Sequence, residues 1–361
     1  MPWLAAHDSS QVETYFYLAS EPSSTSLMEE CRAIAKSVRI VAGWRAERIV
    51  ECIRGDQVDI LVDLSGHFQD NRLDVFLHRP APVQVTYAHY PGTTGAATID
   101  YILTDRWTTP EGCETDYTET PYRLPSGYVV YEAPDVAAGP LPASSSGYLT
   151  FGLFQRPGKL NDQVWDVIAG VLRQVSNARL LVHFASEELD EPMSAQQRRF
   201  IQPLAERGID AGRLEFHGTR LGAAHLLTVA KADIALDTFP FNGQTTTCDC
   251  LWMGVPVVTL CGATHASRVG AAILERAGLS HLAARTPEEY VQAAVKLASD
   301  IPALSDLRTA LRSCFVAGSL SDGRKLAREI EEAYRWMWGR WCQGLAPRCN
   351  EEMLAGRAAG I

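Results

Sequence analysis

Asn242-Gly243-Gln244-Thr245-Thr246-Thr247-Cys248-Asp249, continuing through Leu251-Trp252-Met253-Gly254-Val255-Pro256-Val257-Val258-Thr259-Leu260, is the stretch that decides the fold. It reads as a glycine turn, a run of hydroxyl residues, a short helix and then a buried strand. Such a turn ends one strand and opens a helix whose first N–H groups have no partner inside the helix. That is a seat for a phosphate. Three threonines add hydroxyl donors at the same place. Asp249, read here as lying on the first helical turn, can accept hydrogen bonds from a ribose. The stretch points to a nucleotide diphosphate.

Working outward, short apolar runs alternate with amphipathic stretches, as in parallel-sheet α/β proteins. Strands are predicted at 14–19, 58–64, 83–87 and 101–104, and helices at 44–54 and 73–78. Residues 106–147 change character. Pro110, Pro121, Pro125, Pro134, Pro140 and Pro142 break any helix there, and Ala143-Ser144-Ser145-Ser146-Gly147 follows. This reads as an interdomain connector, with the linker proper at 131–147. A second α/β unit opens at Tyr148-Leu149-Thr150-Phe151-Gly152-Leu153-Phe154. It continues as a helix at 162–175 capped by Asn161, strands at 179–184, 213–216, 233–237 and 256–260, and helices near 195–206, 225–231, 267–277 and 287–299. Thr286 and Pro287 mark a helix start. An amphipathic helix at 326–341 ends the pattern. The expected division is a first lobe at 1–130, a second at 148–318, a C-terminal helix at 319–345 and a tail at 346–361. Two doubly wound domains of this kind would hold a ligand in the cleft beyond the carboxyl ends of their strands.

Composition narrows the function classes. The chain has 361 residues, is 46% hydrophobic and 21% charged, and carries a net charge of −10. A globular two-domain protein fits these values. The acidic balance argues against nucleic acid as a partner. No apolar run is long enough to span a bilayer, and no signal peptide is legible at Met1-Pro2-Trp3-Leu4. Nine scattered cysteines lack CxxC spacing, so reduced thiols and a cytoplasmic location are expected. With no Asp-x-Asp triplet and no paired histidines, no metal site is expected.

Several residues are candidates for chemistry, each with a plainer reading beside it. Lys159 follows the first strand of the second unit, where its charge could neutralise a departing diphosphate; it could equally be a solvated lysine near a helix cap. His225 could lie against a nucleobase or be a partly buried helix histidine. Asp249 could bind a ribose or simply favour the helix dipole. The three threonines could be a plain cap cluster. Pro91-Gly92-Thr93-Thr94-Gly95 offers a turn with permissive backbone for a sugar or acceptor, or an ordinary turn. His67 follows the 58–64 strand. The aromatic stripe of the last helix reads as core packing.

Five ordered blocks then resemble a known family. They are Asp59-Ile60-Leu61-Val62-Asp63-Leu64-Ser65-Gly66-His67, Arg79-Pro80-Ala81-Pro82-Val83-Gln84-Val85-Thr86-Tyr87, Tyr90-Pro91-Gly92-Thr93-Thr94-Gly95, Asp237-Thr238-Phe239-Pro240-Phe241-Asn242-Gly243 and Leu251-Trp252-Met253-Gly254-Val255-Pro256. Together they resemble the catalytic region of the O-linked N-acetylglucosamine transferases and SPINDLY-type proteins, over about residues 12–342. The resemblance implies a GT-B fold, with two Rossmann-like lobes facing a cleft and the first incomplete. It also implies inverting, metal-independent transfer from UDP-GlcNAc to Ser or Thr of proteins, with no other cofactor. By position, Lys159 matches the lysine on the donor diphosphate and His225 the base-contacting histidine. Thr245 and Thr246 match the phosphate-binding pair, Asp249 the ribose ligand, and Gln244 stands where animal enzymes have a histidine near the donor. Pro91, Gly92 and Thr93 match the sugar- or acceptor-facing turn.

The match departs from the family in three places. The Asp-Phe-Arg-x-His-Pro-like segment with its active-site histidine is not found in this sequence, nor are the opening strand and helix of the first lobe. Upstream tetratricopeptide repeats are not found either. The sugar-facing turn reads Ala88-His89-Tyr90-Pro91-Gly92 where Leu-Gly-Tyr-Pro-Gly is usual, so His89 adds bulk and a polar group. His67 and His89 are the local candidates for a base in the first lobe. Two other functions fit the same residues: a nucleotide-binding protein without transferase activity, and a GDP-fucose-dependent protein O-fucosyltransferase. The expected partners are a nucleotide-sugar donor and a protein or peptide acceptor, with no membrane.

Overall fold

A computed structural model describes residues 3–22, 24–87 and 89–351. Ala88 and the end of the expected tail lie outside the described residues. The chain forms two compact units: residues 1–130 with 322–361, and residues 131–321.

Unit 1 begins with β1 (Tyr15–Leu18), α1 (Thr25–Ile34), β2 (Ser37–Ile40), α2 (Ala46–Gly55), β3 (Ile60–Asp63) and α3 (Leu73–Phe76). It continues with β4 (Val83–Tyr87), β5 (Tyr101–Thr104) and β6 (Thr120–Arg123). Its strands form two parallel sheets, β1-β2 and β3-β4-β5-β6. The amphipathic α2 turns Ile49, Val50 and Ile53 inward, where they pack with Val41, Leu61, Val75, Phe76 and Ile99. Strands β4 and β5 are buried throughout, the burial expected of central parallel strands.

Unit 2 holds α4 (Ala143–Ser146), β7 (Thr150–Leu153), α5 (Asp162–Gln174), β8 (Arg179–His183), α6 (Ala195–Glu206), β9 (Leu214–His217) and α7 (Ala223–Val229). After these come β10 (Ile234–Leu236), α8 (Thr245–Trp252), β11 (Val257–Leu260), α9 (His265–Arg276), β12 (Ala283–Ala284), α10 (Pro287–Ser299) and α11 (Ile301–Ala317). Its six parallel strands lie in the order β12-β11-β10-β7-β8-β9. Counted within the unit, this is the 3-2-1-4-5-6 order of dinucleotide-binding folds. Helix α5 forms where sequence places it. Asn161 Oδ1 accepts from the Val164 N–H at 3.0 Å, and Val164, Ile168, Val171 and Leu172 fill the core against β7 and β8. Each such side chain contributes roughly 1.5–3 kcal/mol on burial. Thr286 caps α10 in the same way, accepting from Glu289 N–H at 3.2 Å.

The connector expected at 106–147 is corrected. It contains β6, hydrogen-bonded to β5, and residues 106–130 belong to unit 1. Prolines concealed the strand. Pro121 sits in it because β6 is the sheet's edge, where a missing N–H costs no ladder bond. Five helices and strands, α1, β2, α4, β12 and α11, also lie where no element was expected. The last helix, α12 (Gly323–Cys342), packs within unit 1. The Trp336 ring meets Tyr101 and Tyr122 at 6.0 and 5.4 Å.

Helix α8 ends at a glycine for two reasons. Gly254 has φ +71°, and it closes the helix with N–H bonds from Gly254 to Leu251 O and from Val255 to Cys250 O. This is the paired pattern of a Schellman cap. A Cβ there would also lie 2.7 Å from the Arg308 carbonyl oxygen on α11. Gly254→Ala therefore combines left-handed strain of about 1–2 kcal/mol with a backbone clash. The expected outcome in urea denaturation is a loss of about 2–4 kcal/mol, and a loss below roughly 0.5 kcal/mol would contradict this account of the cap.

Candidate functional site

In unit 2 the strand order reverses between β7 and β10, which are neighbours. The two loops leaving their carboxyl ends diverge there and leave a crevice. Residues 154–161 form the first loop and 237–244 the second. Every donor-side candidate except His225 and Asp249 lies on these loops or at the start of α8.

Asp237 builds the second loop. Its carboxylate is buried and accepts from the N–H groups of Thr238 (2.9 Å) and Gly243 (2.8 Å) and from the Thr259 hydroxyl (2.7 Å). One carboxylate thus fixes both ends of the turn that feeds α8. Burial pushes its pKa up to about 6, against the pull of Thr259, Gly243 and Lys159. The two loops are tied directly. Asn161 Nδ2 donates to Phe239 O at 2.8 Å, and Gln155 Nε2 donates to Thr246 Oγ1 at 2.7 Å. The approach is so close that a Cβ on Gly243 would come 2.5 Å from Thr246 Oγ1. Only glycine fits.

Lys159 is half-buried in the same crevice. Its Nζ donates to Asn242 O at 2.9 Å and sits 4.0 Å from the centre of the Phe241 ring. Burial lowers its pKa, the nearby Asp237 opposing that shift. Lys159 is thus tied to the 237–244 loop through Asn242, and Thr246 to the 154–161 loop through Gln155. Thr245 is exposed and Thr246 partly so, whereas Thr247 is buried and donates to Gly243 O at 2.9 Å. The threonine run divides into two solvent-reaching residues, of which Thr246 accepts from Gln155, and one buried hydroxyl bonded back to the Gly243 carbonyl.

Asp249 departs from its reading. It lies on the second turn of α8, not the first, because the helix begins at Thr245. The alternative of a helix-dipole carboxylate also fails, since Asp249 is buried and held by side chains. Tyr131 OH donates to Oδ1, and His225 Nε2 lies 3.2 Å from Oδ2. His225 Nδ1 is in turn 2.8 Å from His183 Nε2, and His183 Nδ1 is 3.0 Å from His217 O. A carbonyl only accepts, so His183 carries its hydrogen on Nδ1. Burial holds the His183 pKa down, so its Nε2 accepts from His225 Nδ1. Burial, with Asp249 next in effect, raises the Tyr131 phenol. Thr246 and Asp249, three residues apart, face the same side of α8.

Helix α7, which carries His225, is anchored at its far end. Buried Arg308 donates to Ala230 O (2.7 Å) and Ala232 O (2.9 Å), satisfying carbonyls at the helix's C-terminal end.

The first-lobe candidates gather at the carboxyl ends of β3 and β4 in unit 1. His67 Nε2 contacts Thr94 O at 2.8 Å, and its ring meets Tyr90 edge-on at 5.1 Å. Phe68 contacts both His89 and Tyr90. Thr93 Oγ1 donates to Glu119 at 2.7 Å, and Thr94 is held by the same buried carboxylate. The permissive backbone expected in the Pro91-Gly92-Thr93-Thr94-Gly95 turn lies at its last residue. Gly92 has no left-handed φ, and the residue that has one is Gly95, at +72°. Elsewhere in unit 1, Glu114, Cys349 and Glu351 approach within 4.8 Å of one another. Arg123 already lies among them, paired with Glu114 and 3.6 Å from Glu351.

Sequence reasoning missed Gln155, Asn161 as a loop tie, Asp237, His183 and Tyr131. Gln155, Asp237 and His183 carried a usable signal, each being a polar residue at or just past the carboxyl end of an apolar strand. Tyr131, in a proline-rich stretch, carried none.

A six-stranded unit in this order, with a lysine and a helix start converging at its reversal point, defines a Rossmann-type α/β protein with a built crevice. The sequence profile of Glycosyl transferase family 41 matches residues 3–135 and 147–330. The chain belongs to that family. It is 41% identical over 313 residues to the probable UDP-N-acetylglucosamine–peptide N-acetylglucosaminyltransferase SPINDLY of Solanum lycopersicum, covering 86% of this chain and 33% of that one. It is 30% identical to the Arabidopsis thaliana protein SEC, of the same printed activity, covering 95% of this chain and 35% of that one. A solved mutant O-GlcNAc transferase of Thermobaculum terrenum superposes with a TM-score of 0.88 at 38% identity, covering 95% of this chain and 65% of that one. The fold is the GT-B type of that transferase. The chain spans about a third of the length of these curated relatives. Among the described residues no helix is long and apolar enough to cross a membrane.

Asp237 gives a pH signature. Its folded pKa of about 6 exceeds the ordinary 3.8, so the native state holds this proton more tightly than the unfolded chain. The group therefore adds stability as pH falls from about 6 towards 3.8 and opposes folding above that window. Replacing it in Asp237→Asn should make acid destabilisation steeper across this window, read as urea midpoints at a series of pH values. Unchanged slopes would overturn the assignment.

Proposed function

We propose that this chain is the donor-binding and transferring region of a protein O-glycosyltransferase that moves N-acetylglucosamine from UDP-GlcNAc to Ser or Thr hydroxyls. The observation that carries this reading is the convergence of Lys159, Gln155 and Thr246 on the start of α8 at the sheet's reversal point. A diphosphate seated there would meet the Lys159 ammonium, the hydroxyls of Thr245 and Thr246 and the free N–H groups of the first helical turn. Gln244 stands at the same helix start. His225 and Asp249 would take the nucleoside end, base and ribose respectively.

In the reaction the acceptor oxygen bonds to the anomeric carbon as the bond from that carbon to the phosphate oxygen breaks, on the opposite side. The configuration inverts, and the electron pair leaves with the nucleoside diphosphate. The hydroxyl proton passes to a base, for which His67 and His89 are the candidates near the Pro91-Gly92-Thr93 turn. Lysine and helix charge stabilise the leaving group without a metal ion, so added chelator should leave transfer unchanged.

Lys159→Ala should lower the turnover of UDP-GlcNAc by about 10²–10³-fold, the cost of removing one preorganised donor from a developing anion. Peptide glycosylation with labelled donor measures it. A variant within about threefold of the parent would remove Lys159 from the diphosphate seat. Tight UDP-GlcNAc binding without transfer or hydrolysis in the parent chain would instead support a nucleotide-binding protein that is not a transferase.

A second donor is favoured by one observation: identity is higher to the SPINDLY-named relatives, at 36–41%, than to SEC at 30% or the Caenorhabditis elegans enzyme at 23%. The family resemblance then implies GDP-fucose. Thermal shifts with UDP and GDP at equal concentration separate the two, because only a ligand that prefers the native state raises the midpoint.

A further inference from the structure

Glu119 lies immediately before β6 in unit 1 and is 2% exposed. Its carboxylate accepts from the Thr94 N–H at 2.7 Å, from the Thr94 hydroxyl, and from the Thr93 hydroxyl at 2.7 Å. All three donors are neutral. Burying a carboxylate among neutral donors is costly, and its partners explain why a neutral amide could not stand in for it. Thr93 Oγ1 already accepts from the N–H groups of Gly95 at 3.0 Å and Thr118 at 3.2 Å. Thr94 Oγ1 already accepts from the Ala96 N–H at 3.2 Å. Each hydroxyl points its one hydrogen at Glu119. A glutamine with its NH2 at the Oε1 position would face the Thr94 N–H. With its NH2 at the Oε2 position it would face a Thr93 oxygen whose lone pairs are taken. The position calls for a group that only accepts.

The far side of the same turn holds His67. Thr94 O lies 2.8 Å from His67 Nε2. A carbonyl has no hydrogen to give, so Nε2 carries one, and the neutral ring keeps its lone pair on Nδ1. The main chain beneath the ring is fixed independently. Asp63, at the end of β3, accepts from the N–H groups of Ser65 at 3.0 Å and Gly66 at 2.9 Å and from the Thr86 hydroxyl at 2.8 Å. Gly66 has φ +52°, and a Cβ there would overlap the Tyr90 side chain, the ring that meets His67 edge-on. His67 is exposed and so open to an incoming hydroxyl. His89 differs. Phe68 meets its ring edge-on, but among the described residues no hydrogen bond orients that ring, and burial lowers its pKa.

We propose that Glu119 is a positioning residue for sugar transfer: through the Thr94 carbonyl it holds His67 with the Nδ1 lone pair set to take the acceptor's proton. This role presupposes the transferase reading proposed above. The acceptor O–H bond breaks as its proton moves to Nδ1. The pair left on oxygen forms the bond to the anomeric carbon, and the pair of the breaking bond to phosphate leaves with the diphosphate. The imidazolium that results keeps its Nε2 hydrogen on Thr94 O, so the ring does not turn between the two states. Donors and acceptors arranged before the reaction spare it that reorganisation.

The test combines spectroscopy and kinetics on the full chain, isotope-labelled in its histidine nitrogens, with His67→Asn assigning the signal. In alkaline buffer, where imidazole is neutral, the parent should show one His67 tautomer, with hydrogen on Nε2. In Glu119→Gln the two tautomers should average. With labelled UDP-GlcNAc and a peptide acceptor, His67→Asn should lower kcat by about 10²–10⁴-fold, the usual worth of a positioned base. Glu119→Gln should lower kcat at least about tenfold with the donor KM within about threefold, the pattern of an interaction realised in the transition state. A Glu119→Gln chain that keeps the single tautomer, or keeps its kcat, or loses only in KM overturns the role of Glu119. Hydrogen on Nδ1 in a parent that transfers sugar overturns it without any variant and leaves the transferase reading standing. A parent with the expected tautomer that neither transfers nor hydrolyses the donor refutes the transferase reading, and the catalytic role with it.

Discussion

The Asp237 carboxylate is the constraint on which the candidate site rests. A buried acid at the end of a central strand is costly unless its oxygens are satisfied. Here they are satisfied by the turn itself, through the Thr238 and Gly243 N–H groups, and by the neighbouring strand, through Thr259. The turn cannot relax without stranding that carboxylate. Since α8 starts at the turn's end, the direction of its first N–H groups is set by the same bonds. Gln155 then reaches from the adjacent loop to Thr246, so both sides of the crevice are referred to one anchor.

A second layer holds the far end of α8 and the helix beside it. Gly254 closes α8 against α11, and Arg308 of α11 secures the end of α7. These two helices carry Asp249 and His225. Their contact is therefore fixed by packing behind the site as much as by its own hydrogen bond. Low-dielectric surroundings make such a chain, from His217 through His183 and His225 to Asp249 and Tyr131, stiff when complete and costly when broken.

How much of this the sequence disclosed depended on the kind of signal. Val83–Tyr87 and Tyr101–Thr104 were legible to the residue because buried parallel strands are unbroken apolar runs. The start of α5 was legible because an asparagine cap acts locally. Strand β6 was not, because its proline is tolerated only by its edge position, which is a tertiary fact. The placement of Lys159, Thr245 and Thr246 beside turns was legible because each follows a strand's carboxyl end by a single loop. The helical turn that carries Asp249 and its side-chain partners were not legible, since helix phase depends on where the chain exits Asp237. Tyr131 comes 118 residues before Asp249, and nothing local announces such a pairing.

If Asp249 takes the ribose as proposed, the Tyr131–Asp249 bond bears on selectivity. A phenol occupies one oxygen of that carboxylate, and His225 the other. An incoming sugar hydroxyl would swap one O–H donor for another, leaving the number of satisfied oxygens unchanged. The net gain from such an exchange is small. Recognition at this corner would then depend on shape, on whether the newcomer fits the space the tyrosine vacates, more than on the strength of any bond it forms.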